Sequence, residues 1–214
     1  MKVLVIADVE CPQLWERFDR SLVEGVDLVV SCGDLKPAYL TFLVTMIPVP
    51  LFYVLGNHDR DIKPGQLDGC VNLDGKLINY KGVRFMGLGG VRSAAPMAQH
   101  FTEQKMSRRI QKLRWDLWKN KGFDVLVTHS PPLGLGDGQD SYHQGFECFR
   151  NLIDVYKPAL CLHGHQHLNY APLSKRINRY RDTRVINGFR YYIVEIEPGR
   201  PEPVSVIADP SAPE

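Results

Sequence analysis

Six short apolar runs, each continuous rather than alternating, constrain this chain most: Val3 to Ala7, Leu28 to Val30, Leu51 to Leu55, Phe85 to Leu88, Val125 to Val127 and Leu160 to Leu162. Runs this short and unbroken suit strands buried on both faces, as in parallel sheets covered by helices. Helical spacing falls between them. Leu14, Phe18 and Leu22 recur every four residues behind Pro12, which suits a first helical position. Met106, Ile110, Leu113 and Leu117 repeat a core-facing stripe, as do Phe149, Leu152, Ile153 and Tyr156. Lys76 to Tyr80 reads as a hairpin arm leading into a glycine-rich stretch, Gly82 to Gly90, that lacks G-x-G-x-x-G spacing. Tyr191 to Glu197 looks like a closing strand, and the Pro-rich end, 199–214, is expected to fray. With no internal repeat or linker, residues 1–214 are expected to form a single domain.

What terminates the runs is more informative. They end in Asp8-Val9-Glu10, Gly33-Asp34, Gly56-Asn57-His58-Asp59, His129-Ser130-Pro131-Pro132 and His163-Gly164-His165-Gln166-His167. Ligands of open α/β sheets bind beyond the carboxyl ends of the strands, so these side chains are expected to converge on one rim as a metal site. Alternation along an extended chain would point Asp8 and Glu10 the same way, and likewise His165 and His167. Carboxylate, amide and imidazole ligands suit Mn²⁺, Fe²⁺ or Zn²⁺, and the lack of paired thiols argues against a closed structural zinc site.

In order, Asp8, Gly33-Asp34, Gly56-Asn57-His58-Asp59, His129 and Gly164-His165-Gln166-His167 resemble the signature blocks of the calcineurin-like metallophosphoesterase family. The resemblance implies an α/β fold, a two-layer β-sandwich flanked by α-helices (α/β/β/α). It also implies a dinuclear centre that hydrolyses phosphodiesters or phosphomonoesters with a metal-activated hydroxide. By that resemblance Asp8, residue 10, Asp34 and His167 surround a first divalent ion and Asp34, Asn57, His129 and His165 a second. His58 would be the catalytic histidine, with Asp59 orienting it or its loop. His129-Ser130-Pro131-Pro132 with Gly134, Gly136 and Asp137 also looks like a branch associated with broad-specificity cyclic-nucleotide phosphodiesterases.

Position 10 departs from the family's usual D-x-H. Glu10 can ligate through oxygen, and one more negative charge makes the centre less positive and favours Mn²⁺, Fe²⁺ or Mg²⁺ over Zn²⁺. The alternative is that Glu10 points to solvent and the first metal is lost, which would leave a degenerate phosphate-binding scaffold. Around the site, Arg92 is a candidate phosphate contact or a surface ion pair. Tyr142 and His143, on the unpatterned stretch Leu133 to Phe146, are candidate substrate contacts on an overhanging rim. His163 reads as a core hydrogen-bonder, and His100 shows no partner. Trp15, Trp115 and Trp118 fit helix packing better than base stacking.

Composition is that of an ordinary globular protein, 44% hydrophobic and 23% charged, which excludes coiled-coil, collagenous and disordered classes. Five scattered cysteines without a C-x-x-C pair read as reduced, mostly buried thiols. The start meets Asp8 too early for a secretory segment, and no apolar run reaches membrane length, so a cytoplasmic location is expected without membrane contact. The net charge of +2 hides two basic stretches, Phe101 to Lys121 and Lys175 to Arg190. They are read first as a solvated helix face and a hairpin; the alternative is a nuclease that holds DNA or RNA through the basic helix at Arg108 and Arg109. The expected partner is a small phosphoester, nucleotides included.

Overall fold

The computed structural model describes residues 1–60, 62, 66–170, 176–197 and 206–208. All six apolar runs are strands. One sheet has the order β14(Val206–Ala208), β13(Arg190–Glu195), β1(Lys2–Ala7), β2(Leu28–Ser31), β3(Leu51–Tyr53), β4(Cys70–Asn72). The other runs β11(Ile177–Tyr180), β12(Thr183–Asn187), β10(Leu160–His163), β9(Val125–Thr128), β6(Val83–Leu88), β5(Lys76–Tyr80). A two-residue pair, β7(Val91–Arg92) and β8(His100–Phe101), lies outside both. β1 to β4 are mutually parallel, as are β12, β10, β9 and β6, while β13 and the edge strands β5 and β11 run antiparallel to their neighbours.

Period-two alternation divides each strand between two cores. Val3, Val5 and Ala7 of β1 join Leu28, Val30, Phe52, Phe85, Val125, Leu162 and Ile186 between the sheets. Leu4 and Ile6 face outward onto Tyr39, Leu40 and Leu43 of α1(Pro37–Met46). Across the molecule, Met86, Leu126 and Cys161 pack against Met106 of α2(Glu103–Lys112) and Phe149 of α4(Glu147–Tyr156). The layers are helix, sheet, sheet, helix, as expected. Phe85 is fully buried edge-on to Phe52 at 5.8 Å. Phe85→Ala is expected to destabilise the fold by about 3–5 kcal/mol, measured by urea titration of the far-ultraviolet signal.

Three expectations need correction. The stripe at Leu14, Phe18 and Leu22 does not make one α-helix. It falls on 3₁₀ turns at Pro12–Leu14 and Arg20–Val23, because Asp19 Oδ1 accepts from the Ser21 amide at 2.9 Å and starts a separate turn. The stripe from Met106 to Leu117 is split at Leu113 into α2 and α3(Arg114–Lys119). Trp115 and Trp118 do not pack into a core: they are 66% and 71% exposed, and only Trp15 packs inward, against Tyr39. Within the Pro-rich end, Val206–Ala208 pairs with β13, and the remainder lies outside the described residues.

Candidate metal centre

The carboxyl ends of β1, β2, β9 and β10 meet at one rim, and the chain turns there in an uncommon way. Asp8, Asp34 and His165 have φ of 66°, 59° and 66°, the left-handed region that side chains other than glycine enter at a cost of about 1–3 kcal/mol each. Extended alternation therefore does not govern these residues, and the expectation that Asp8 and Glu10 share a direction through it fails. Close approach demands glycine beside them. A Cβ on Gly33, at φ 97°, would stand 2.5 Å from the Gly56 amide nitrogen, and one on Gly164 would stand 2.8 Å from Asp8 Oδ2.

Asp8, Asp34 and His129 each bring a ligand-type atom within 4.8 Å of the others. His129 is fully buried. Its Nδ1 lies 2.7 Å from the Cys32 carbonyl oxygen and must donate to it, which turns Nε2 toward Asn57 Oδ1 at 3.2 Å and Asp34 Oδ2 at 3.3 Å. An unprotonated Nε2 facing two oxygens needs a cation between them; without one it keeps a proton. Burial alone would pull the imidazole pKa down, but the Asp34 charge and hydrogen bond, helped by Asp8, hold it up at about 9. The same pair works on Asp34, where burial pushes the carboxyl up and His129 outweighs it, leaving the pKa lowered. Burial pushes Asp8 up to about 7. Asp8 Oδ1 accepts from the His165 amide at 2.8 Å, and the buried Oδ2 has no partner among the described residues. Orphaned carboxylate oxygen, imidazole nitrogen aimed at oxygens and mixed N/O donors fit a divalent cation.

Of the other predicted residues, Asn57, His58, Asp59 and His165 border this cluster, and Glu10 and His167 do not join it. The His165 ring stands 5.1 Å from that of His129, with Nε2 at 2.9 Å from the Tyr142 carbonyl, and burial drives its pKa down to about 3, so it is neutral at physiological pH. His167 is exposed, its ring 5.1 Å from Phe189. Glu10 is held elsewhere: Oε1 accepts from the Lys36 amide at 3.2 Å and Oε2 lies 3.5 Å from Lys36 Nζ. The His58 amide donates to Asp34 Oδ1 at 2.7 Å, leaving the ring exposed. One oxygen of Asp59, Oδ2, accepts from both the Asp34 amide at 2.7 Å and the Gly56 amide at 2.8 Å, tying the β2 and β3 ends together.

Two cavities meet at Asp34 and His58. One of about 600 Å³ is walled by Arg92, His100, Tyr142, His143 and His167; the other, about 410 Å³, by Asp8, Glu10 and Lys36. Arg92 is partly engaged, Nη1 donating to the Gly145 carbonyl at 3.2 Å and Nε 3.9 Å from Glu103. His143 Nδ1 meets Asp140 at 2.8 Å. Two participants carried no sequence signal. Lys36 lies two residues past Asp34 but reaches Glu10 only through the fold, and His100 enters the wall through β8 with neither ring nitrogen partnered among the described residues. His163 is buried with Nδ1 near the Gly164 carbonyl at 3.0 Å, a core hydrogen-bonder as expected.

A family model described as calcineurin-like phosphoesterase matches residues 1–169. One solved structure superposes with a TM-score of 0.64 at 16% identity, covering 90% of this chain and 94% of that one. The TT1561 protein of Thermus thermophilus does so with a TM-score of 0.62 at 16% identity, covering 90% and 93%. A novel archaeal phosphodiesterase is more distant, with a TM-score of 0.45 at 12% identity over 91% and 93%. No curated protein matches the chain significantly by sequence.

Proposed function

This chain belongs to the calcineurin-like phosphoesterase family, and from that premise we propose a metal-dependent hydrolase of small phosphodiesters, nucleotide-sized ones included. The observation that carries the hydrolase reading is the convergence of Asp8, Asp34 and His129 within 4.8 Å, with Asp8 Oδ2 unpartnered among the described residues. The preference for a diester follows from the two cavities that share Asp34 and His58. A phosphomonoester has one substituent to house, whereas a diester has two, and two cavities border Asp34 and His58.

Asp8, Asp34, Asn57, His129, His165 and His167 would hold two divalent ions, Mn²⁺ or Fe²⁺ in preference to Zn²⁺ or Mg²⁺. When bound, the ions supply charge to the phosphoryl oxygens and acidify water for in-line attack. The chain does the rest. Cys32 fixes the His129 tautomer through its carbonyl, so that Nε2 is the ligating atom. Asp59 keeps the Asp34 and Gly56 amides in register, which sets the bearing of the Asp34 carboxylate and of the loop carrying Asn57 and His58. His58, whose ring borders both cavities, carries a proton to the leaving ester oxygen. Arg92, Tyr142 and His143 contact the substituent in the larger cavity.

A panel of metals crossed with bis(p-nitrophenyl) phosphate and p-nitrophenyl phosphate tests this reading. Hydrolysis that needs added metal, stops in EDTA and favours the diester is expected; metal-independent turnover or none at all would contradict the hydrolase reading. His58→Ala should lower kcat by about 10²–10⁴-fold, least for substrates with acidic leaving groups, which need no protonation. Glu10 remains a proposed oxygen ligand, released from Lys36 when metal binds. Glu10→His is expected to change which metal gives best turnover, and an unchanged metal profile would remove Glu10 from the ligand set.

A further inference from the structure

α2 and α3 bury Met106, Leu113 and Leu117 against the outer core, yet their solvent side is not ordinary. Trp115 and Trp118 stand out on it, their rings stacked at 5.0 Å and 29° to one another. Two exposed indoles on a six-residue helix leave a large apolar area in water, where Trp is seldom left without a task. They sit in a field of one sign. Lys105, Arg108, Lys112, Arg114, Lys119 and Lys121 are all exposed, and none has an ion-pair partner among the described residues. Asp116 is the one exposed acid between Glu103 and Lys121. Arg109, by contrast, is spent on Asp74, with Nη2 at 2.5 and 2.6 Å from its oxygens, and does not join this surface.

We propose that this face, Trp115 and Trp118 flanked by the unpaired Lys and Arg of α2 and α3, binds single-stranded nucleic acid. Six cations without partners complement a row of phosphates. Stacked indoles with open outer faces offer platforms to unpaired bases, a contact that tolerates any sequence. A lipid surface is the weaker fit, because α2 and α3 expose no large aliphatic side chain to enter acyl chains; the apolar stripe of these helices is already in the core. The surface lies on the helical layer outside β6 and β9, apart from Asp34 and His58, and the inference does not rest on the hydrolase reading.

The test is fluorescence anisotropy of labelled oligo(dT), about 20 nucleotides long at about 50 mM salt, titrated with the full chain in EDTA so that binding through metal is excluded. Saturable binding is expected, with a log–log salt slope of up to about −4 for six cations at roughly −0.7 each. Trp115→Ala with Trp118→Ala should weaken it about ten-fold or more, while Trp115→Phe with Trp118→Phe retains part of the affinity. Arg108→Ala with Lys112→Ala should flatten the slope by about 1.4. All these side chains are exposed, so the variants keep the parent melting temperature. Absence of binding, loss of binding in EDTA, equal affinity of the double alanine variant or equal affinity for a duplex would overturn the proposal. Sedimentation with phosphatidylserine vesicles in place of oligonucleotide binding would overturn it in favour of a lipid surface.

Discussion

Asp34→Asn is expected to cost about 10³-fold or more in kcat on a phosphodiester, with the fold intact by circular dichroism. The substitution is nearly isosteric, and an amide oxygen can still accept from the His58 amide as Asp34 Oδ1 does now. What disappears is the charge. In the metal-free protein that charge is what holds the His129 imidazole protonated against its burial. In the proposed centre it would also supply negative charge to a bound cation. The variant should accordingly bind less metal as well as turn over slowly, and full activity in saturating Mn²⁺ would remove Asp34 from the centre.

Asp59→Ala is expected to destabilise the protein by about 2–6 kcal/mol, since two amides lose their acceptor at once and each unsatisfied donor costs about 1–3 kcal/mol. Those amides belong to Asp34 and Gly56, and both donate to the same oxygen, Oδ2. That detail separates geometry from charge. Asp59→Asn can place its carbonyl oxygen where Oδ2 stands and accept both hydrogen bonds, so it should recover most of the stability, whereas Asp59→Ala should not. Loosening the two strand ends should also lower turnover by about 10–100-fold in the alanine variant. Thermal melts and kinetics of the pair decide it; equal destabilisation by both substitutions would mean that the carboxylate acts through its charge.

Much of this was legible because parallel strands leave a mark at both levels. The unbroken apolar runs could be buried on both faces only in a covered sheet, and the polar residues ending them had to emerge at a common rim. Asp8, Asp34, Asn57, His129 and His165 gather there. What stayed hidden depends on contacts between distant segments. The left-handed turns at Asp8, Asp34 and His165 are imposed by neighbours, and no local pattern announces an aspartate or histidine forced out of the extended region. Glu10 reads as a ligand from its place two residues after Asp8, yet the fold brings Lys36 to it first. Helix α1 leaves no periodic mark because its sequence, Pro37 to Met46, is apolar on nearly every side and shows no polar face. The exposed indoles of α3 mislead for the converse reason: Leu113 and Leu117 occupy the inward stripe, and Trp115 and Trp118 fall off it.

The central claim is that Asp8, Asp34 and His129, joined by Asn57, His165 and His167, hold divalent cations. Anomalous diffraction at the manganese edge from crystals grown with Mn²⁺ addresses it most directly. Two peaks flanking Asp34, with one within bonding distance of His129 Nε2, are the predicted result; a difference map without anomalous signal between those side chains, at saturating metal, would contradict the account.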